Sequence, residues 1–152
     1  MKVAGSHALP APPEQVYSML QDPEVLARAM PGCERLNLVA PGEYEMQMKV
    51  AIAAVQGLFK GKVHLRDPNP PQGNRKAVEG IGKVGFVKGE GAVSLAPDEA
   101  GTLVSYEGDV QVGGGIAAVG QRLLDTTSKF VIRKFFESVA KQIVDAPRTA
   151  GV

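Results

Sequence analysis

The string Gly80-Ile81-Gly82-Lys83-Val84-Gly85 has the G-x-G-x-x-G spacing of a dinucleotide-binding loop. In such a loop the glycines let the backbone approach a pyrophosphate, and a helix must follow so that its N-terminus faces the phosphates. Here Phe86-Val87-Lys88-Gly89-Glu90-Gly91 follows, which reads as a strand. The context fails, so these glycines are expected to mark a hairpin, bends and bulges in a strongly curved sheet. Gly113-Gly114-Gly115 precedes a helical pattern. It could cradle an anion at the helix start, but a flexible strand-to-helix hinge is the stronger reading.

Cys33 has no nucleophile-activating partner at a telling spacing, and His7 and His64 lie far apart in the chain. Only three-dimensional proximity could join them into a site. One cysteine excludes an intramolecular disulfide, and two histidines with one cysteine exclude an all-His/Cys zinc site, which takes four ligands. The carboxylate pairs Asp98-Glu99 and Glu107/Asp109 fall in a turn and on a polar strand face, where solvation explains them. G-x-S-x-G, H-E-x-x-H and G-K-[ST] do not occur. No catalytic residue, metal site or cofactor is therefore expected.

The large apolar residues are more informative. Met30, Met46, Met48, Phe59, Phe86, Phe130, Phe135 and Phe136 stand out in a chain without Trp. Methionine and phenylalanine fill cores, but they also line adaptable apolar pockets. The residue types leave both readings open.

The elements that must position them can be read from spacing. Val3 to Leu9 is a first strand, ended by Pro10. Pro12-Pro13 opens a short helix at Glu14, and Asp22-Pro23-Glu24 starts a second one, with Asp22 as cap, which Pro31-Gly32 stops. Strands are expected at Glu34–Val39, Tyr44–Val55, Phe59–Arg66, Asn74–Gly82, Phe86–Leu95 and Thr102–Val112. In the longest, Tyr44, Met46, Met48, Val50, Ile52 and Ala54 share a face. From Ile116 to Val144 only Gly120 interrupts a helical pattern, and Leu124, Val131, Phe135 and Val139 fall on its apolar stripe. Pro147 ends it. The chain is expected to be one domain over residues 1–146, with a tail at 147–152. The order argues for an α+β fold: an antiparallel sheet of about six or seven strands, two short helices after the first strand, and a long C-terminal helix. A sheet that curls around such a helix can leave a cavity between them.

With 152 residues the chain has enough surface to bury a core unaided. Its formal net charge of +1 is too small to mark a nucleic-acid binder. The charge is uneven, however: residues 49–88 carry eight basic and two acidic side chains, and residues 89–115 carry five acidic and no basic ones. Pairing between neighbouring strands is the plain reading; a shared basic face is the other. No apolar leader follows Met1 and no apolar run approaches the twenty residues of a spanning helix, so a cytoplasmic location is expected.

Specific strings then carry a family resemblance. Asp22-Pro23-Glu24-Val25-Leu26-Ala27 with Pro31-Gly32-Cys33-Glu34, Gly57-Leu58-Phe59-Lys60-Gly61-Lys62-Val63 and Gly85-Phe86-Val87-Lys88-Gly89 resemble the G-subunit family of carbon monoxide dehydrogenase. So do Val110-Gln111-Val112-Gly113-Gly114, Gly120-Gln121-Arg122-Leu123-Leu124 and Phe135-Phe136. The family is similar to the START-like helix-grip proteins, in which a curved antiparallel sheet wraps a C-terminal helix around an apolar cavity. The resemblance implies a non-catalytic accessory protein that handles a lipophilic molecule, a quinone or a lipid, beside a molybdenum-type carbon monoxide dehydrogenase or related hydroxylase. It also implies a peripheral position at the inner face of the membrane, with direct anchoring through the C-terminal extension of some relatives not expected. A START-like cyclase or dehydratase acting on a polyketide-like substrate, and an interaction module with a vestigial cavity, are the alternatives.

The strand alternation is expected to point Val50, Ile52, Phe59, Val63, Phe86 and Val110 to the concave face. Leu123, Leu124, Thr127, Val131 and Phe135 are expected to face them from the helix, with Met30 near the mouth.

Overall fold

The computed structural model describes residues 1–52 and 55–145. The side chains of Ile52 and Val55 and the expected tail at 147–152 lie outside the described residues, as does Ala54. The elements run β1 (Lys2–Leu9), α1 (Pro13–Met19), α2 (Pro23–Ala29), β2 (Cys33–Ala40), β3 (Glu43–Ile52), β4 (Val55–Asn69), β5 (Gly73–Gly82), β6 (Gly85–Asp98), β7 (Gly101–Gly114) and α3 (Gln121–Asp145).

The seven strands form one antiparallel sheet in the order β1-β7-β6-β5-β4-β3-β2. The path explains the order. After β1 the chain leaves through α1 and α2 to the far edge, then meanders back until β7 pairs with β1. The two short helices start as their residues dictate. Asp22 accepts a hydrogen bond from the Glu24 N–H at 2.9 Å, and Pro23 takes the first helical position, where a missing N–H costs nothing.

Several boundaries differ from the sequence reading, β4 running over Val55–Asn69 where Phe59–Arg66 is expected. The expected strand Tyr44–Val55 ends at Ile52, which pairs with Val55 as β4 begins. The last helix starts at Gln121, not Ile116, because Gly120 takes φ +98, outside the helical region and open chiefly to glycine. Ala117–Val119 form a separate 3₁₀ turn. The Gly82–Gly85 pair closes a two-residue hairpin between β5 and β6, so the G-x-G-x-x-G string is a turn with no helix after it.

The core is in two parts. At one end Leu9, Val16, Leu95, Val104, Phe136 and Val139 join α1, α2 and the C-terminal half of α3 to β1, β6 and β7. The Thr102 hydroxyl donates to the Ala11 carbonyl at 2.6 Å there, satisfying a fully buried polar side chain. At the other end Phe59, Ile116 and Leu124 cluster, with Val50, Val84 and Val112 against them.

Candidate functional site

Directly opposed residues of an antiparallel ladder point to the same face. The registers therefore give the inner face, the one toward α3, row by row. One row is Tyr44–Val63–Val78–Gly89–Val110, and the next is Leu65–Lys76–Gly91–Gly108–Val3. A third is Met46–Gly61–Gly80–Val87–Val112. This middle stretch, between the two core clusters, is glycine-rich and incompletely covered. A methyl group built on Gly80 would meet nothing within 4 Å. Val78, although on the inner face, keeps 43% of its surface accessible, and Val63 and Val110 are half-buried. Between the two packed clusters the inner face is thus a valine- and glycine-rich stretch that no side chain fully covers.

Its polar groups are few. Lys76 is the one lysine or arginine at the paired inner-face positions of the described strands, and no carboxylate occupies such a position; the exposed Asp67 falls in the β4 bulge, outside the ladder register. Lys76 is half-buried by its accessible surface, and the desolvation it does undergo pulls its pKa down, to about 8, because the charged form is disfavoured away from water. Asn74, two residues along on the same face, has a buried side-chain oxygen without a partner among the described residues, as has the Tyr17 hydroxyl. Tyr44 donates from its hydroxyl to the Gln21 carbonyl at 2.6 Å, tying β3 to the link between α1 and α2. Burial, then the nearby Asp22 and Tyr17, raises its pKa. His7 on β1 stacks on Phe136 of α3, with ring centroids 4.4 Å apart, and Tyr106 lies 5.9 Å from the same ring.

The expected site residues divide among different places. Val50, Phe59, Val63 and Val110 are on the inner face. Phe59 and Leu124, however, pack on one another's cluster at one end, and Phe135 packs on the other. Thr127 and Val131 are half-buried on α3 between these ends. Met30 caps the end of α2 and is half-buried. Leu123 is partly exposed and lines a hollow of about 400 Å³ at the start of α3 with Val119, Gly120, Gln121, Arg122 and Thr126.

Phe86 is a correction. It pairs with Gly113 and Ile81 on the outer face, where its ring covers Gly113 so closely that a Cβ there has no room, and it is 44% exposed. The hairpin at Gly82–Gly85 sets the phase of β6 and turns Val87, Gly89 and Gly91 inward instead.

Lys76 was missed by reading apolar residues only. The signal was present: adjacent Arg75 and Lys76 on a strand must point to opposite faces. Of the eight basic residues in 49–88, Lys49, Lys60, Lys62, Arg66, Arg75 and Lys88 lie on the outer face, Lys83 is in the β5–β6 turn, and Lys76 alone turns inward. The basic residues of α3 lie on the opposite side of the sheet from this outer set, so the two basic segments do not share a face. The outer face also carries exposed Leu58 and Ile81 beside Phe86, and a shallow groove of about 590 Å³ among Arg35, Glu45, Lys60, Lys62, Glu79 and Ile81. Charge pairing accounts for part of it, since Glu43 meets His64 at 3.1 Å and Glu90 meets Arg66 at 3.6 Å. Among the described residues no group of His, Cys, Asp and Glu could hold a metal ion, and no helix is long and apolar enough to cross a membrane.

A seven-stranded antiparallel sheet holding one long C-terminal helix, with two short helices after the first strand, defines a helix-grip protein. Solved structures share the fold. A conserved protein from Geobacillus kaustophilus is 34% identical, with a TM-score of 0.92, over 96% of this chain and 97% of that one. A protein from Thermus thermophilus is 17% identical, with a TM-score of 0.72, over 96% and 99%. Ara h 8.0201 is 10% identical, with a TM-score of 0.69, over 95% and 97%, a likeness of fold alone. Among curated proteins, none matches the chain. Residues 5–144 match the family model for the G subunit of carbon monoxide dehydrogenase (CoxG), and the chain belongs to that family.

Proposed function

We propose that the chain is a non-catalytic accessory protein that carries a lipophilic small molecule, a quinone or a lipid, in the hollow between its sheet and α3. Its partner in this reading is a molybdenum hydroxylase-type carbon monoxide dehydrogenase, in keeping with the family. The observation that carries the reading is the uncovered inner face at Gly80 and Val78. A protein that used α3 only to complete a core would fill that stretch with side chains, since interiors are close-packed. Valine walls with a few polar groups are what small-molecule sites present.

Membrane contact in this reading runs through the outer face. There Leu58, Ile81 and Phe86 are exposed among Lys49, Lys60, Lys83 and Lys88, whereas the apolar stripe of α3 is spent on the sheet. The test is solvent extraction of the protein purified from membrane-containing lysate, followed by mass spectrometry, with uptake of ubiquinone-2 from liposomes alongside. A co-purifying isoprenoid or fatty acid supports the reading. A folded protein that carries neither and takes up no quinone removes it.

A further inference from the structure

The eight basic residues between 49 and 88 are not equivalent: seven face or border water on the outer side, and Lys76 stands on the inner face. Its ladder neighbours are Leu65 and Gly91, and Gly108 lies beyond Gly91. None of these can pair with an ammonium through a side chain. The rows to either side offer Val63, Val78 and Gly89, and Asn74 and Val93. From the remaining inner positions of β1 and β7 come Val3, Gly5, His7, Tyr106, Val110 and Val112, which bring no acid. The three ion pairs among the described residues, Arg66–Glu90, Arg133–Glu137 and Lys134–Glu137, and the His64–Glu43 contact all lie elsewhere. The Gly91–Gly108 step beside Lys76 also leaves no strand side chain in front of that part of the sheet.

We propose that Lys76 is the head-group site of this hollow, and that it receives the anionic oxygen of an amphipathic molecule, a long-chain carboxylate being the simplest, whose apolar chain lies along Val78, Val63 and Val110. The inference rests on the reading that the hollow holds a lipophile, and it narrows the ligand to one with an anionic head. The physical reason is compensation. Near pH 7 an amine with a pKa of about 8 is still mostly protonated, so the free protein holds a half-buried cation beside valines with no ion-pair partner among the described residues. A neutral quinone carbonyl can accept one hydrogen bond from it but leaves the charge uncompensated. A carboxylate supplies both the acceptor and the charge. The unpartnered Asn74 oxygen on the same face adds a second polar anchor for a head group that also carries a hydroxyl.

The experiment compares cis-parinaric acid with its methyl ester by fluorescence titration at neutral pH, on the wild type and on Lys76→Met and Lys76→Arg. Ubiquinone-2 serves as the neutral control. The expected result is a preference of about tenfold or more for the acid over the ester in the wild type. It is lost in Lys76→Met, through weaker acid binding with ester binding unchanged, and kept in Lys76→Arg. Circular dichroism melts confirm that each variant is folded. Should Lys76→Met fail to fold, displacement of the probe from the wild type by laurate against lauryl alcohol reads the same preference. Equal binding of acid and ester to the wild type, or quinone binding that exceeds acid binding and ignores the substitution, overturns the head-group site and leaves the lipophile reading standing. Failure of acid, ester and quinone alike to bind the folded wild type removes both.

Discussion

The imidazole of His7 lies face to face with the ring of Phe136, centroids 4.4 Å apart and planes 17° from parallel. This contact joins an edge strand to the middle of α3. Phe135 meets Phe136 edge-on at 5.2 Å, and Val139, one turn further on, is fully buried. The C-terminal half of α3 is therefore held by a packed core, whereas its N-terminal half is held by Leu124 alone among its fully packed residues. Release of the whole helix about Gly113-Gly114-Gly115 would have to break the larger cluster. Opening near Gly120 disturbs only the smaller one.

Phe136→Ala should accordingly cost about 3–5 kcal/mol in chemical denaturation, the usual range for truncating a buried aromatic. Phe86→Ala, on the outer face, should cost much less, because nearly half of that side chain is already in water. Equal losses at the two positions would show that Phe86 belongs to a core.

Those two phenylalanines also mark how far the sequence could be read. The order of elements along the chain, the Asp22-Pro23 helix start and the faces of β3 and β4 follow from alternation and capping chemistry, and the structure has them. The phase of β6 was less visible because Gly85, Gly89 and Gly91 blank half of its inner positions. Lys88 and Glu90 share a face with Phe86, and charges belong outside, which was the available cue. The split of the apolar residues into two end clusters depends on where the curved sheet meets α3. No local spacing encodes that distance.

Filling the proposed hollow separates lining from core. Val63 lies between Tyr44 and Val78 on the inner face, and Thr127 is half-buried on α3. Val63→Phe or Thr127→Leu should abolish ubiquinone-2 uptake while lowering stability by at most about 1–3 kcal/mol, the cost of overpacking a filled site. Unchanged uptake with a large loss of stability would place both residues in the core.

Lys76 gives the molecule a pH signature. Its pKa in the folded protein, about 8, lies below the ordinary 10.5, so between these values the unfolded chain holds a proton that the folded chain has released. Stability must then rise with pH across that window, by at most about 3 kcal/mol at its upper end. Burial raises Cys33 above 9.0 and Tyr44 and Tyr106 above 10.0, which acts in the opposite direction once those groups ionise in the unfolded chain. The clean interval therefore runs from about pH 7.5 to 9, in a Cys33→Ser background. There the melting temperature should climb relative to that of a Lys76→Met variant; parallel curves would mean that the amine is in water.

The outer face and α3 make different predictions for membranes. Arg122, Lys129, Arg133, Lys134 and Lys141 are on α3, but Glu137 pairs with Arg133 and Lys134, and the Phe130 ring sits under both. Ile81→Glu with Phe86→Glu should strongly reduce co-sedimentation with vesicles containing phosphatidylglycerol, since it adds charge to the exposed apolar strip of the outer face. Lys129→Glu should have a smaller effect, on the order of 1 kcal/mol, that disappears at high salt. The reverse ranking would assign the contact to the helix.

Gly80 offers the most direct probe of the proposed hollow. It lies on the inner face between Gly61 and Val87, its φ is not in the left-handed region, and an added methyl group meets nothing within 4 Å. Gly80→Ala should therefore stabilise the protein by about 0.4–1 kcal/mol, through lost freedom of the unfolded chain. Gly113→Ala, the contrasting substitution, must push the Phe86 ring aside and should destabilise. A larger residue at position 80 tests the hollow itself. Gly80→Leu projects into the space that Val78 and Val63 line, so it should fold with near-native stability and exclude ubiquinone-2. Marked destabilisation of Gly80→Leu would show that α3 already occupies the space and that there is no room for a ligand.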